Sequence, residues 1–231
     1  IALPGDPRVT LGARIYARNS EWPTVLYFHG NGEVAPDHDD IAAHYHAVEC
    51  NLVVAEFRGY GRSGGHPTFA NLIADAHPVG RWFHALLDER GFTNRRYVMG
   101  RSLGAHPALE LAANAPDRFD GLIVESGAAG LARMLTRLGH EDDPQGLAVC
   151  EAHDAKIERI RLPSLIIHGE QDDLVPVTQA TRLQSLLGPA CKEMVLIPHA
   201  GHNDLLWIGL TPYFEAVRRH VHPERARTFD I

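Results

Sequence analysis

A chain of 231 residues, 45% of them hydrophobic, can bury a full core, and its length is that of one large domain, so a single domain over residues 1–231 is expected. Its net charge of −7 argues against a nucleic-acid-binding face, which needs a basic patch, and no apolar run reaches the ~18 residues of a membrane span. Cys50, Cys150 and Cys191 are odd in number and widely spaced, so reduced thiols in a cytoplasmic compartment are expected, with a removed signal peptide left open because the chain starts at Ile1 rather than Met.

In chain order, apolar runs of strand length alternate with longer segments of helical period. Residues 9–17 read as an antiparallel edge strand and 24–28 as a buried one that ends at His29-Gly30. A helix over 41–49 is followed by a β-rich run at 52–57. Residues 72–90 suit an amphipathic helix with Ile73, Val79, Phe83 and Leu86 near one face, and Pro78 is expected to kink it or delay its start. A strand at 96–100 leads into a helix over 103–115. Strands at 122–124, 164–167 and 194–197, with helices at 178–187 and 205–220, complete the series. The stretch 127–152 has no clear period and reads as a small lid or surface insertion. The tail beyond His222 looks frayed. Such alternation predicts an α/β fold, a mostly parallel sheet with helices on both faces.

The most informative stretch is Gly100-Arg101-Ser102-Leu103-Gly104. A strand that turns abruptly into a helix through a serine strains that residue and exposes its hydroxyl. The flanking glycines avoid Cβ clashes with neighbouring backbone, and the helix start aims free N–H groups at a reacting oxygen. A serine nucleophile needs a base, and the base needs an acid to fix its tautomer. Both types follow in the order serine, acid, histidine. The acid candidate is Asp172, in His168-Gly169-Glu170-Gln171-Asp172-Asp173, with Asp173 beside it and Glu125 as a third choice. The base candidate is His202, in Ala200-Gly201-His202, with His199 three residues earlier.

These residues resemble the α/β-hydrolase superfamily, and more narrowly the lid-poor serine hydrolases grouped with esterases and serine-aminopeptidase-like proteins. The resemblance runs from about residue 25 to about 221 and rests on four motifs in order. They are Phe28-His29-Gly30-Asn31-Gly32, Arg58-Gly59-Tyr60-Gly61-Arg62-Ser63, the serine pentapeptide, and the acid and histidine turns. It implies the α/β-hydrolase fold with a minimal lid, Asp172 rather than Asp173 as the acid, and His202 as the base. It also implies an oxyanion hole from the backbone N–H groups of Leu103 and Asn31, Gly32 being the near alternative. The implied reaction is hydrolysis of a small-molecule carboxylic ester through an acyl-enzyme. Thioester, amide, peptide and acyl-transfer chemistry stay open on the same residues, and a non-catalytic ligand binder of the same fold is the reading from a different class.

No cofactor and no metal is implied. Asp37, His38, Asp39, Asp40, His44 and His46 cluster, but no H-E-x-x-H or paired Cys/His of zinc spacing occurs. The cluster is expected to open a helix, its carboxylates at the positive end of the dipole and its histidines solvated. His29 and His168, each ahead of a glycine, are expected to bind local backbone, and Tyr60 to pack or line a pocket. Two features depart from the family pattern. His106-Pro107 replaces the usual small residues after the pentapeptide, and His106 should face the pocket or the core. Glu33, an anion beside the oxyanion donors, should face solvent or bind a basic group.

Overall fold

The computed structural model describes residues 1–131, 136, 139, 142–188 and 192–226. Seven strands form one sheet: β1 (Ala13–Tyr16), β2 (Thr24–Phe28), β3 (Asn51–Ala55), β4 (Arg96–Arg101), β5 (Gly121–Glu125), β6 (Ser164–Gly169) and β7 (Lys192–Ile197). Their spatial order is β1-β3-β2-β4-β5-β6-β7, with β1 antiparallel to β3 and every other pairing parallel. The edge strand predicted over 9–17 shrinks to β1, preceded by a lone Ala2–Thr10 bridge.

Side-chain alternation along the strands gives two cores. Leu26, Phe28, Val53, Val98, Leu122, Val124 and Ile166 face α2 (Phe69–Glu89), α3 (Ala105–Asn114), α4 (Pro144–Glu158) and α5 (Val177–Leu186). Val25, Tyr27, Leu52, Val54, Tyr97, Met99, Ile123 and Ile167 face α1 (Ala42–Ala47) and α6 (Leu205–Val221). Most of these side chains are fully buried, each contributing about 1.5–3 kcal/mol by removal from water.

Three expectations need correction. The helix predicted from 72 begins earlier, at Phe69, because Thr68 caps it by accepting the Asn71 N–H at 3.1 Å, and it continues through Pro78. The stretch 127–152, which has no clear period in the sequence, is partly helical. Helix α4 begins inside it, capped by Asp143, whose carboxylate accepts the Gly146 N–H at 3.0 Å. Part of that stretch lies outside the described residues, as does Cys191, while Cys50 and Cys150 carry free thiols. Beyond His222, a short helix α7 (Pro223–Ala226) replaces the expected fraying as far as the described residues run. Among the described residues no helix is long and apolar enough to cross a membrane.

Candidate active site

Parallel register brings the loops that leave the carboxyl ends of the strands side by side. Phe28 pairs with Gly100, so the His29-Gly30-Asn31 turn leaves the sheet beside Ser102. Gly169 pairs with Ile197, and the two following loops are tied by Gln171 N–H to the Ala200 carbonyl at 2.8 Å. Ligand sites of open parallel sheets form at this edge.

Ser102 opens a 3-10 turn (Ser102–Gly104) with φ +51, the left-handed region that strains any residue with a side chain. Close packing on both sides holds it there. A Cβ on Gly100 would meet the Gly104 carbonyl oxygen at 2.1 Å, and one on Gly104 would meet the Phe28 carbonyl oxygen at 2.1 Å. The helix then runs on with Pro107 in its first turn, where a missing N–H costs no intrahelical bond.

The Ser102 hydroxyl lies 3.0 Å from His202 Nε2, and His202 Nδ1 lies 2.7 Å from Asp172 Oδ2. The other carboxylate oxygen, Oδ1, accepts the Val175 N–H at 2.7 Å. A carboxylate can only accept, so His202 carries its proton on Nδ1 and turns the Nε2 lone pair to the serine. Asp172 and His202 are buried while Ser102 is half-buried. The rival residues sit elsewhere. Asp173 and His199 are exposed, and Glu125 is buried with its oxygens bound to Arg101 and to the Tyr213 hydroxyl.

His168 is fully buried, and its Nε2–H donates to the Val175 carbonyl at 2.7 Å while lying 3.4 Å from Asp172 Oδ2. Burial lowers its pKa, and its bond to the Val175 carbonyl makes it a brace under the Asp172 loop. His29 is likewise buried with a lowered pKa, its Nδ1 2.8 Å from the Gly30 carbonyl.

Among the described residues the Asn31 N–H makes no hydrogen bond. Leu103 occupies the second position of the 3-10 turn, where an N–H has no acceptor within the turn. Asn31 is fixed by its side chain, whose Oδ1 accepts the Tyr60 hydroxyl at 2.6 Å. Tyr60 also packs on Phe57 and His29, and with them it joins the turn after β3 to the turn after β2. An apolar cavity of about 230 Å³ opens here, lined mainly by Phe57, Tyr60, Pro67, Phe69, Leu72 and Leu103. At its rim Arg58 forms a fork on Asp75 at 2.6 and 2.9 Å, a partly buried ion pair that the sequence did not suggest.

His106 faces the core, packed at 5.2 Å between Phe69 of the cavity wall and His153 of α4. Burial lowers its pKa to about 3, so it stays neutral. Glu33 does bind a basic group, pairing with Arg101. Burial opposes the Arg101 charge, but attraction to Glu125 and Glu33 outweighs it and the pKa rises. The Asp37-to-His46 cluster is dispersed. Asp39 pairs with Arg14 and Tyr16, His46 meets the Tyr16 carbonyl, and His38 is buried against Tyr27 rather than solvated. Among the described residues no three His, Cys, Asp or Glu side chains converge as a metal site would require.

The family model described as serine aminopeptidase, S33, matches residues 21–141. The chain belongs to this α/β-hydrolase family. It is 30% identical over 193 residues to Protein bem46 of Schizosaccharomyces pombe, a match covering 79% of this chain and 62% of that protein. It is also 30% identical over 211 residues to alpha/beta hydrolase domain-containing protein 17B of Homo sapiens, covering 87% and 67%. The chain thus spans less than two thirds of the length of the first of these relatives. Among solved structures, Est1E from Butyrivibrio proteoclasticus with bound ferulic acid superposes with a TM-score of 0.77 at 20% identity, covering 94% of this chain and 96% of that one. This likeness shows the α/β-hydrolase fold.

Proposed function

We propose that the chain is a serine hydrolase that cleaves carboxylic esters of small substrates through an acyl-enzyme. The observation that carries this reading is the unbroken relay from the Ser102 hydroxyl to His202 at 3.0 Å and on to Asp172 at 2.7 Å. Ser102 Oγ attacks the carbonyl carbon as His202 Nε2 takes its proton. Asp172 stabilises the resulting imidazolium and keeps its ring in place. The carbonyl oxygen becomes an anion between the N–H groups of Leu103 and Asn31, each worth about 3 kcal/mol in such sites. His202 then protonates the leaving alcohol. Water, deprotonated by the same nitrogen, releases the acid and restores the serine.

The cavity beside Leu103 and Tyr60 supports compact, apolar acyl groups, because its walls are mostly aromatic and aliphatic and its volume is modest. Nitrophenyl esters of rising acyl length are the direct test. Hydrolysis should peak at short acyl groups and fall once the chain outgrows the cavity. Parallel thioester and aminoacyl substrates decide which leaving group is preferred. A fluorophosphonate probe should label the folded protein and leave Ser102→Ala unlabelled, with turnover of the variant reduced on the order of 10⁵-fold or more. A folded wild type that takes no label and cleaves no ester in the panel would mean that the relay serves binding rather than catalysis.

A further inference from the structure

Arg101 stands between Gly100 and Ser102, at the variable position of the pentapeptide, and its side chain is only 12% exposed. Its Nε–H donates to Glu125 Oε1 at 3.1 Å and an Nη1–H to Glu33 Oε1. Nη2 donates to the His202 carbonyl at 2.8 Å and to Asn203 Oδ1 at 3.0 Å. Each partner leads to a different part of the proposed machinery. The second oxygen of Glu33 accepts the Gly30 N–H at 2.8 Å, one residue before Asn31. The second oxygen of Glu125 accepts the Tyr213 hydroxyl at 2.8 Å, on the helix that follows the His202 loop.

We infer that Arg101 is a positioning residue: one largely buried guanidinium spans the Glu33 turn and the His202 carbonyl, setting the separation of the Asn31 N–H from the imidazole. This assignment rests on the serine-hydrolase reading above. The same cation offsets the Glu33 carboxylate, which would otherwise oppose an oxyanion at Asn31. The task needs a planar fork. A lysine ammonium, a compact point charge, cannot meet acceptors on a strand end and two separate loops at once. Removing the cation leaves two partly or fully buried carboxylates uncompensated, so the loops part as well as losing a bond.

The test compares wild type, Arg101→Lys and Arg101→Ala on nitrophenyl acetate. Both variants should lose about a hundredfold in kcat while KM stays within about threefold, since displacement of the groups matters most in the transition state. Millimolar guanidinium chloride should restore Arg101→Ala by about tenfold or more, whereas ammonium chloride at equal ionic strength should not. Should the alanine variant fail to fold, Arg101→Lys carries the kinetic result, joined by a readout free of turnover. The backbone amide signals of Asn31 and Asn203, which flank opposite ends of the fork, should shift together in its NMR spectrum. The assignment is overturned by a lysine variant with kcat within about threefold of wild type, by a loss confined to KM, or by unmoved amide signals at either loop. Equal rescue by ammonium overturns it too. A wild type that cleaves no ester defeats the hydrolase reading and this assignment with it. An active wild type indifferent to Arg101 defeats this assignment alone.

Discussion

Asp172 and Asp173 are adjacent and chemically identical, yet the turn after β6 buries the first against His202 and leaves the second in solvent. Burial alone does not make an acid useful here. Both oxygens of Asp172 are committed, one to the imidazole and one to the Val175 N–H, so its direction is fixed as well as its charge. Asp172→Asn keeps the shape but offers His202 the wrong tautomer, and ester turnover should fall by about 10⁴-fold, against less than about threefold for Asp173→Asn. Comparable losses in the two variants, measured as kcat/KM on nitrophenyl acetate, would refute Asp172 as the acid. The histidines divide the same way. His199 is exposed at φ +64 and lies 3.5 Å from the Gln171 side chain, so His199→Asn should retain most activity where His202→Asn should not. The sequence named Ser102, Asp172 and His202, and the fold brings them within hydrogen-bond distance. It could not name the partner of Glu33, because Arg101 is 68 residues away in the chain and only the β2–β4 register makes them neighbours.

At the scale of elements, legibility followed burial pattern. Strands β2, β3 and β5 are buried at every position and read as short apolar runs bounded by turns. Helix α4 is not legible in the sequence because only Gly146, His153 and Ile157 are buried along its 15 residues, leaving no apolar stripe. Helix α2 is legible in its hydrophobic period but its start is not, since Thr68 acts through a side-chain cap that the period does not record. The turn between β4 and α3 was legible for a different reason, namely that two glycines and a serine at fixed spacing leave few geometries. Its tolerance is correspondingly small. Gly104→Ala forces a methyl against the carbonyl oxygens of Phe28 and His29, at 2.1 and 2.6 Å. Overpacking against backbone should cost about 3 kcal/mol or more and part β2 from the turn. A Gly104→Ala protein with unchanged denaturation midpoint and full fluorophosphonate labelling would show that the turn can relax, contrary to this account.

Across the whole molecule, the sheet gathers turns from residues 29–31, 57–60, 101–103, 170–175 and 198–204 at one edge, while the layers beneath are held by packing that includes many histidines. Four of these give the fold a pH dependence of predictable sign. Burial lowers His106 to about 3, and His84, His153 and His220 to about 4, from an ordinary 6.5. In the unfolded chain each takes up a proton as pH falls through 6.5, whereas in the native protein each stays neutral until its lowered value is reached. Their contribution is therefore complete above pH 6.5 and is lost progressively as pH falls towards 4. Ordinary carboxylates titrate near about 4, and Asp88 is held below its ordinary 3.8 by its bond to Arg96. Urea unfolding followed between about pH 7 and about pH 5 should thus report histidines almost alone. Its midpoint should drop with a limiting slope equivalent to about three or more protons, or about 4 kcal/mol per pH unit. His106→Phe should remove close to one proton of that slope, because the Phe69–His153 contact it occupies is already apolar on one side. An uptake below about one proton in this window would mean that these imidazoles are charged or solvated in the native state.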